Sequence, residues 1–139
     1  MPALSNGEMK NGFTISDIIP AKAPEIYEAW LNSEGHAAMT GSEAQVDGKV
    51  GGKFTAWDGY ISGTTLDLTP NQRIVQAWCT TEFPDDAPDS RVEILLEEVE
   101  SGTKLTFIHS NMPEGQTESY RQGWHDFYYQ PMKAYFGKR

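Results

Sequence analysis

Cysteine is nearly absent from this chain of 139 residues, which contains only Cys79. A single cysteine cannot form an internal disulfide. It lies in the strand-like run Ala77–Thr80, with no cysteine or histidine at metal-ligand spacing, so we expect a buried and unreactive thiol. The sequence therefore indicates neither a disulfide framework nor a metal site, and we expect no cofactor.

Long apolar runs are also missing. No stretch approaches the ~18 consecutive apolar residues of a membrane-spanning helix, and residues 1–12 lack an apolar segment of signal-peptide length. We therefore expect a cytoplasmic protein that does not bind membranes. The serine, asparagine and glycine residues of 1–12 favour a flexible lead-in, followed by one domain over 13–139.

Positive charge is scarce, with 11 lysines and arginines against 20 aspartates and glutamates and a net charge of −9. Eight of the acids fall between Glu82 and Glu100, where Arg91 is the one basic residue. Such a field repels phosphate backbones and anionic lipids, which excludes nucleic acid and membrane surfaces as partners. The acidic segment is read as a solvated face, with a docking surface for a basic partner as the alternative.

The first part of the chain predicts a strand and two short helices. Alternating apolar residues over Phe13–Ile19 indicate a strand that ends at Pro20. Pro24 opens a helix whose apolar residues recur at helical spacing. These residues are Ile26, Tyr27, Trp30 and Leu31. A second helix is predicted from a cap at Ser33 to a stop at Gly41.

Between Glu43 and Asn111 the apolar period becomes two, which predicts an antiparallel meander. Asp47-Gly48 and Asp58-Gly59 are typical hairpin-turn dipeptides. The predicted strands are Lys53–Trp57, Tyr60–Leu68, Arg73–Thr81, Arg91–Val99 and Thr103–Ser110.

The end of the chain predicts a long helix with an aromatic face. Five residues fall within an arc of about 100° on a helical wheel; they are Trp124, Phe127, Tyr128, Pro131 and Tyr135. Pro131 has no N–H to donate to the Phe127 carbonyl, so we expect a kink there. Such a face needs a curved sheet to cover it. We therefore predict an α+β fold, in which an antiparallel sheet of about six or seven strands wraps around the C-terminal helix.

A curved sheet and a helix fit each other imperfectly, and the gap between them could hold a small molecule. Each aromatic ring of the predicted interior could line that cavity or fill a packed core. The candidates are Trp30, Phe54, Trp57, Tyr60, Trp78, Phe107, Trp124, Phe127 and Tyr128. Polar-tipped rings favour the cavity wall for Trp57, Tyr60 and Tyr128, whereas Trp78 and Trp124 are favoured for the core.

The three histidines are where acid–base chemistry would be sought. His109 shares a strand face with Leu105 and Phe107, so it is either a hydrogen-bonded core histidine or a group that orients a ligand. We expect His125 to face solvent, and His36 has no carboxylate at triad spacing. With no nucleophile elbow, phosphate loop or metal-ligand cluster, we predict no catalytic residue and no enzyme.

Two sets of motifs carry a resemblance to a known family. The central set is Gly51-Gly52-Lys53-Phe54, Asp58-Gly59, Ser62-Gly63, Leu68-Thr69-Pro70, Arg73-Ile74-Val75 and Trp78. The terminal set is Arg121-Gln122-Gly123-Trp124, Tyr128-Tyr129, Met132-Lys133 and Phe136-Gly137. Together they resemble the activator-of-heat-shock-protein-ATPase homologues of the START/Bet v 1-like (SRPBCC) superfamily. The resemblance implies a helix-grip fold over nearly the whole chain.

That resemblance also implies two functions. In the eukaryotic activators this domain is the C-terminal half of a longer protein that stimulates the ATPase of the 90-kDa heat-shock chaperone. Few residues precede the first strand here, so we expect the N-terminal activator domain to be absent. Single-domain relatives are described as binders of small hydrophobic molecules. We therefore predict a non-enzymatic protein that holds a hydrophobic or aromatic ligand, with two alternatives: a co-chaperone-like regulator of that ATPase, or an enzyme that uses His109. A monomer and a dimer both stay open.

Overall fold

A seven-stranded antiparallel sheet forms the body of the computed structural model, which describes residues 11–137. Its strands are β1 (Phe13–Ile19), β2 (Gln45–Val46), β3 (Lys53–Ala56), β4 (Ile61–Thr69), β5 (Arg73–Thr80), β6 (Ser90–Val99) and β7 (Gly102–Ser110). The spatial order is β1-β7-β6-β5-β4-β3-β2. Residues 1–10 of the predicted lead-in lie outside the described residues.

The helices cover one face of this curved sheet. They are α1 (Ala23–Trp30), α2 (Ser33–Thr40), α3 (Thr117–Trp124) and α4 (Gln130–Gly137), with a π-helical turn (His125–Tyr129) joining the last two. The predicted α+β class and helix-grip layout are confirmed. Within residues 11–137, no helix has both the length and the apolar character needed to cross a membrane.

Strand alternation separates the core from the outer face. In β6, Val92, Ile94 and Leu96 are buried, while Arg91 and Glu97 point outward. The same alternation in β5 directs Trp78 inward, and Cys79 therefore lies on the outer face. The predicted burial of Cys79 is wrong, because this side chain is half-buried, with its Sγ 3.4 Å from the Ser62 hydroxyl.

The second short helix begins one residue earlier than its predicted cap. Asn32 is the N-cap, since its backbone is extended and its side chain accepts a hydrogen bond of 2.8 Å from the Gly35 N–H. The predicted cap at Ser33 is wrong because its hydroxyl instead accepts from the Val46 N–H at 2.8 Å, which ties α2 to β2. Gly41 ends the helix in the left-handed conformation, as predicted, with φ 83°.

The β3–β4 hairpin turns at Asp58-Gly59 as predicted, but its loop is longer than two residues. The left-handed backbone begins at Trp57, with φ 54°, and continues through Asp58 and Gly59. Trp57 and Tyr60 are therefore loop residues rather than strand ends. A left-handed tryptophan costs about 1–3 kcal/mol. This loop conformation places the rings of Trp57 and Tyr60 against the terminal helix.

The terminal helix contains a π-helical turn just before Pro131, where the sequence predicts a kink. The Gln130 N–H donates to the carbonyl of His125, which lies five residues earlier. In an α-helix this bond would join residues four apart. The extra residue rotates the following segment by about 100°. The predicted aromatic face holds at Trp124 and Tyr128, which are buried, but it is wrong at Phe127 and Tyr135, which are 52% and 39% exposed. The buried residues are Tyr120, Trp124, Tyr128, Tyr129, Met132 and Phe136.

Candidate functional site

A cavity of about 420 Å³ lies between the sheet and the terminal helix. It is lined by Trp57, Tyr60, Ile61, Trp78, Glu82, Ser119, Tyr120, Gly123, Trp124, Phe127 and Tyr128. Six of the ten predicted site residues therefore lie together around it: Trp57, Tyr60, Trp78, Trp124, Phe127 and Tyr128. The volume falls within the range of about 300–1,000 Å³ that is usual for small-molecule sites.

The other four predicted site residues are buried but lie outside this lining. Trp30, Phe107 and His109 belong to the packed core behind the cavity wall. Phe107 stacks on Trp124 with ring centroids 4.1 Å apart, and Trp30 packs against Tyr128 at 4.9 Å. Phe54 borders a separate groove of about 380 Å³ on strands β2–β5. Apolar periodicity, helical for Trp30 and alternating for the strand residues, assigns all these rings to the interior, but it does not distinguish the layer at the cavity from the layer behind it.

Five lining residues were missed at the sequence level: Ile61, Glu82, Ser119, Tyr120 and Gly123. Tyr120 carried a usable signal, since it lies four residues before Trp124 and extends the same helix face by one turn. Gly123 belongs to a family motif, yet its role is visible only in the structure, where its lack of a side chain leaves space. Glu82 enters the lining through the loop after β5, whose path no pattern predicts.

A hydrogen-bond chain through His109 fixes the position of Trp124. The Trp124 indole N–H donates to His109 Nδ1 at 3.0 Å. An indole can only donate, so the neutral imidazole carries its proton on Nε2 and donates to the Ser90 hydroxyl at 2.8 Å. Ser90 in turn donates to the Trp78 carbonyl at 2.6 Å. Of the two roles considered, this chain supports that of a hydrogen-bonded core histidine.

A second chain fixes Tyr128 from the opposite side. His36 is buried, and its Nδ1 donates to the Trp30 carbonyl at 3.0 Å. Its Nε2 then accepts from the Tyr128 hydroxyl at 2.8 Å. Burial lowers the pKa of His36 to about 4 and that of His109 to about 3. Both imidazoles are therefore neutral at physiological pH, with both ring nitrogens engaged.

The mouth of the cavity is formed by the hairpin loop, the loop after β5 and the helix. Trp57 packs edge-on against Phe127 with centroids 5.2 Å apart. The Tyr60 hydroxyl donates to the Glu82 carboxylate at 2.6 Å. Burial and this bond raise the pKa of Tyr60. Deeper in, the Thr80 and Tyr120 hydroxyls are 2.6 Å apart.

The Trp57 indole is a polar group of the lining that lacks a good partner. Its Nε1 is buried without a hydrogen bond of normal geometry to the described residues. It lies beside the Tyr128 hydroxyl; burial raises the pKa of that hydroxyl, and the indole opposes the rise. This N–H has no surface open to the cavity, so Trp57 presents its ring to the cavity and not its N–H. The described residues hold no group of three or more histidine, cysteine, aspartate or glutamate side chains that could bind a metal.

Comparison with known proteins gives a consistent set of similarities. The sequence profile of the family described as "Activator of Hsp90 ATPase homolog 1-like protein" matches residues 20–137. The human activator of 90 kDa heat shock protein ATPase homolog 1 is 27% identical over 124 residues, which are 89% of this chain and 36% of that protein. The chain thus spans about a third of the length of the curated relatives it matches.

Solved structures extend the comparison. An HSP90 activator from Plasmodium falciparum superposes with a TM-score of 0.82 at 26% identity, over 91% of this chain and 96% of that one. The Aha1 dimer from Colwellia psychrerythraea has a TM-score of 0.75 at 21% identity, over 89% of this chain and 95% of that one, and supports the fold alone.

Proposed function

The chain belongs to the family of Activator of Hsp90 ATPase homolog 1-like proteins, and from that premise we propose that it binds a 90-kDa heat-shock chaperone and stimulates its ATPase. The observation that carries the proposal is the similarity to the Plasmodium activator, which covers nearly all of both chains. The protein would then act as a regulator rather than as a catalyst, and the cytoplasmic location expected from the sequence is part of this proposal.

This proposal predicts a rise in chaperone ATP turnover. ATP hydrolysis by a purified 90-kDa chaperone is measured while the chain is added to saturation, and we expect the rate to increase to a plateau. The chain alone should hydrolyse no ATP, and an ATP-competitive inhibitor of the chaperone should abolish the added rate. An unchanged rate at saturation, with binding confirmed or not, would contradict the stimulation.

A second candidate function is the binding of a small hydrophobic molecule, and the cavity supports it. The lining is mostly aromatic, yet the rings leave about 420 Å³ unfilled. The space opens at the mouth between the hairpin loop and the terminal helix, so a small apolar molecule that enters it removes aromatic surface from water. We propose this function independently of the chaperone.

Filling the cavity from Gly123 should test the second candidate. Gly123 lines the cavity, and the nearest atom to an added Cβ is Phe127 Cδ2 at 3.8 Å. We expect Gly123→Leu to weaken the binding of the neutral probe N-phenyl-1-naphthylamine by about tenfold or more, measured by quenching of tryptophan fluorescence. Gly123→Ala adds one methyl group and should retain most of the affinity. Equal affinity in both variants would place the probe elsewhere.

A further inference from the structure

The charge distribution of the cavity is one-sided. Of the eleven described residues that line it, Glu82 is the only one with a charged side chain, and none is a lysine, an arginine or a histidine. Glu82 lies at the mouth, where Tyr60 holds its carboxylate through a bond of 2.6 Å. A ligand carrying a carboxylate or a phosphate would therefore find a like charge and no counter-ion, and its desolvation would go uncompensated.

The remaining walls offer ring surfaces. Seven of the eleven lining residues are aromatic. The hydroxyls of Tyr60, Tyr120 and Tyr128 are bonded to Glu82, Thr80 and His36, so the polar tips of these rings already have protein partners. What remains for a ligand is mainly ring surface, and the negative face of an aromatic ring attracts an organic cation within about 6 Å.

Aromatic walls and one carboxylate form a combination that suits alkylated ammonium groups. A quaternary ammonium has no N–H and is weakly hydrated, so it enters an aromatic enclosure at little cost, and a nearby carboxylate adds attraction. The net charge of −9 also raises the local concentration of cations around the whole chain. The aromatic walls, the nearby carboxylate and the net negative charge each disfavour an anionic ligand.

We propose that the cavity selects organic cations, with an apolar or aromatic body beneath the terminal helix and an alkylammonium head between the aromatic mouth and Glu82. This inference rests on the cavity function proposed above and assigns its ligand class. It makes Glu82 the residue that determines the preference for charge, and it makes the ring surfaces the source of general affinity.

A pair of isosteres tests the charge preference directly. Benzyltrimethylammonium and neopentylbenzene have the same shape and differ in one atom, a cationic nitrogen against a carbon. We expect the cation to bind about tenfold more tightly, measured by quenching of tryptophan fluorescence. In Glu82→Gln, which keeps an acceptor for Tyr60, the preference should fall severalfold while the affinity for neopentylbenzene stays unchanged. Glu97→Gln, on the outer face of β6, serves as the charge-matched control and should behave as the unmodified chain.

The possible results test the cation selectivity and the cavity function separately. Equal binding of both compounds would overturn the cation selectivity and leave the cavity function standing. A preference that survives Glu82→Gln would overturn the assignment to Glu82. Binding of neither compound, together with no binding of N-phenyl-1-naphthylamine, would overturn the cavity function itself and with it this inference.

Discussion

Acidification from neutral pH to about pH 4 is expected to destabilise the folded chain by several kcal/mol, because two buried histidines cannot accept protons in the native state. His36 donates to the Trp30 carbonyl and accepts from Tyr128, and His109 joins Trp124 to Ser90. Protonating either imidazole would place a charge in the core and remove an acceptor from its partner.

The sign of the effect follows from the two pKa values. In the unfolded chain both imidazoles titrate near their ordinary value of about 6.5. In the folded chain the pKa is lowered to about 4 for His36 and about 3 for His109. Well above pH ~6.5 both imidazoles are neutral in both states, and stability does not depend on their titration. Below it the unfolded chain binds up to two more protons, so stability falls by at most about 2.7 kcal/mol per pH unit until the folded pKa values are reached.

Urea unfolding followed by circular dichroism between neutral pH and pH ~4 measures this slope. The His36→Gln and His109→Gln variants should each lose about half of it, whatever their stability at neutral pH, because each removes one of the two protons. His125→Gln is the matched control, since it leaves both buried imidazoles in place. A slope in either buried variant equal to that of the unmodified chain would refute the assignment.

Replacing Gly63 by alanine is expected to cost about 3 kcal/mol or more, since the added methyl group has no space. In the sheet, Gly63 lies opposite Phe54 on one side and Trp78 on the other. A Cβ at this position would overlap the carbonyl oxygen of Ala77 and lie 2.7 Å from the Phe54 ring. The Ala77 backbone cannot withdraw without opening the β4–β5 ladder, so relief must come from distortion of the sheet.

Gly123→Ala provides the control for a glycine-to-alanine change in the same chain. Its new methyl group meets only Phe127 Cδ2, at 3.8 Å. The position is inside α3, where alanine is favoured over glycine by up to about 1 kcal/mol. We therefore expect Gly123→Ala to raise the urea midpoint slightly and Gly63→Ala to lower it strongly. A Gly63→Ala variant within about 1 kcal/mol of the unmodified chain would show that the sheet yields more easily than its geometry indicates.

Much of the fold was predictable, because the positions of its strands, turns and helix ends depend on residues that are close together in the sequence. The strand Phe13–Ile19 has its predicted bounds, the Asp58-Gly59 turn lies where the dipeptide indicates, and Gly41 ends α2. Apart from Phe127, the terminal aromatic face was predictable as far as Tyr128. Beyond that residue a periodic pattern assumes a regular helix, and the π-helical turn shifts the inward positions by one residue.

The candidate site depends more on how segments that are distant in sequence pack together. Sequence patterning assigned ten residues to the interior, and six of them line the cavity. Trp30, Phe54, Phe107 and His109 occupy the interior without reaching it. Glu82 was visible only as part of an acidic segment, and the loop after β5 alone brings it to the mouth. Its proposed role in selecting a cation has no sequence pattern behind it.

Apolar periodicity and turn chemistry act between residues a few positions apart, and for that reason they were enough to predict the α+β class and the hydrophobic interior; the family resemblance of the motifs implied the helix-grip fold. Which rings enclose space, which histidine nitrogens carry protons and where the charge of the cavity lining lies follow from the packing of distant segments. Tyr128 bonds to His36, 92 positions away, and Trp124 bonds to His109, 15 positions away. Such pairings depend on the curvature of the sheet and the rotation of the helix over it, which no local pattern contains.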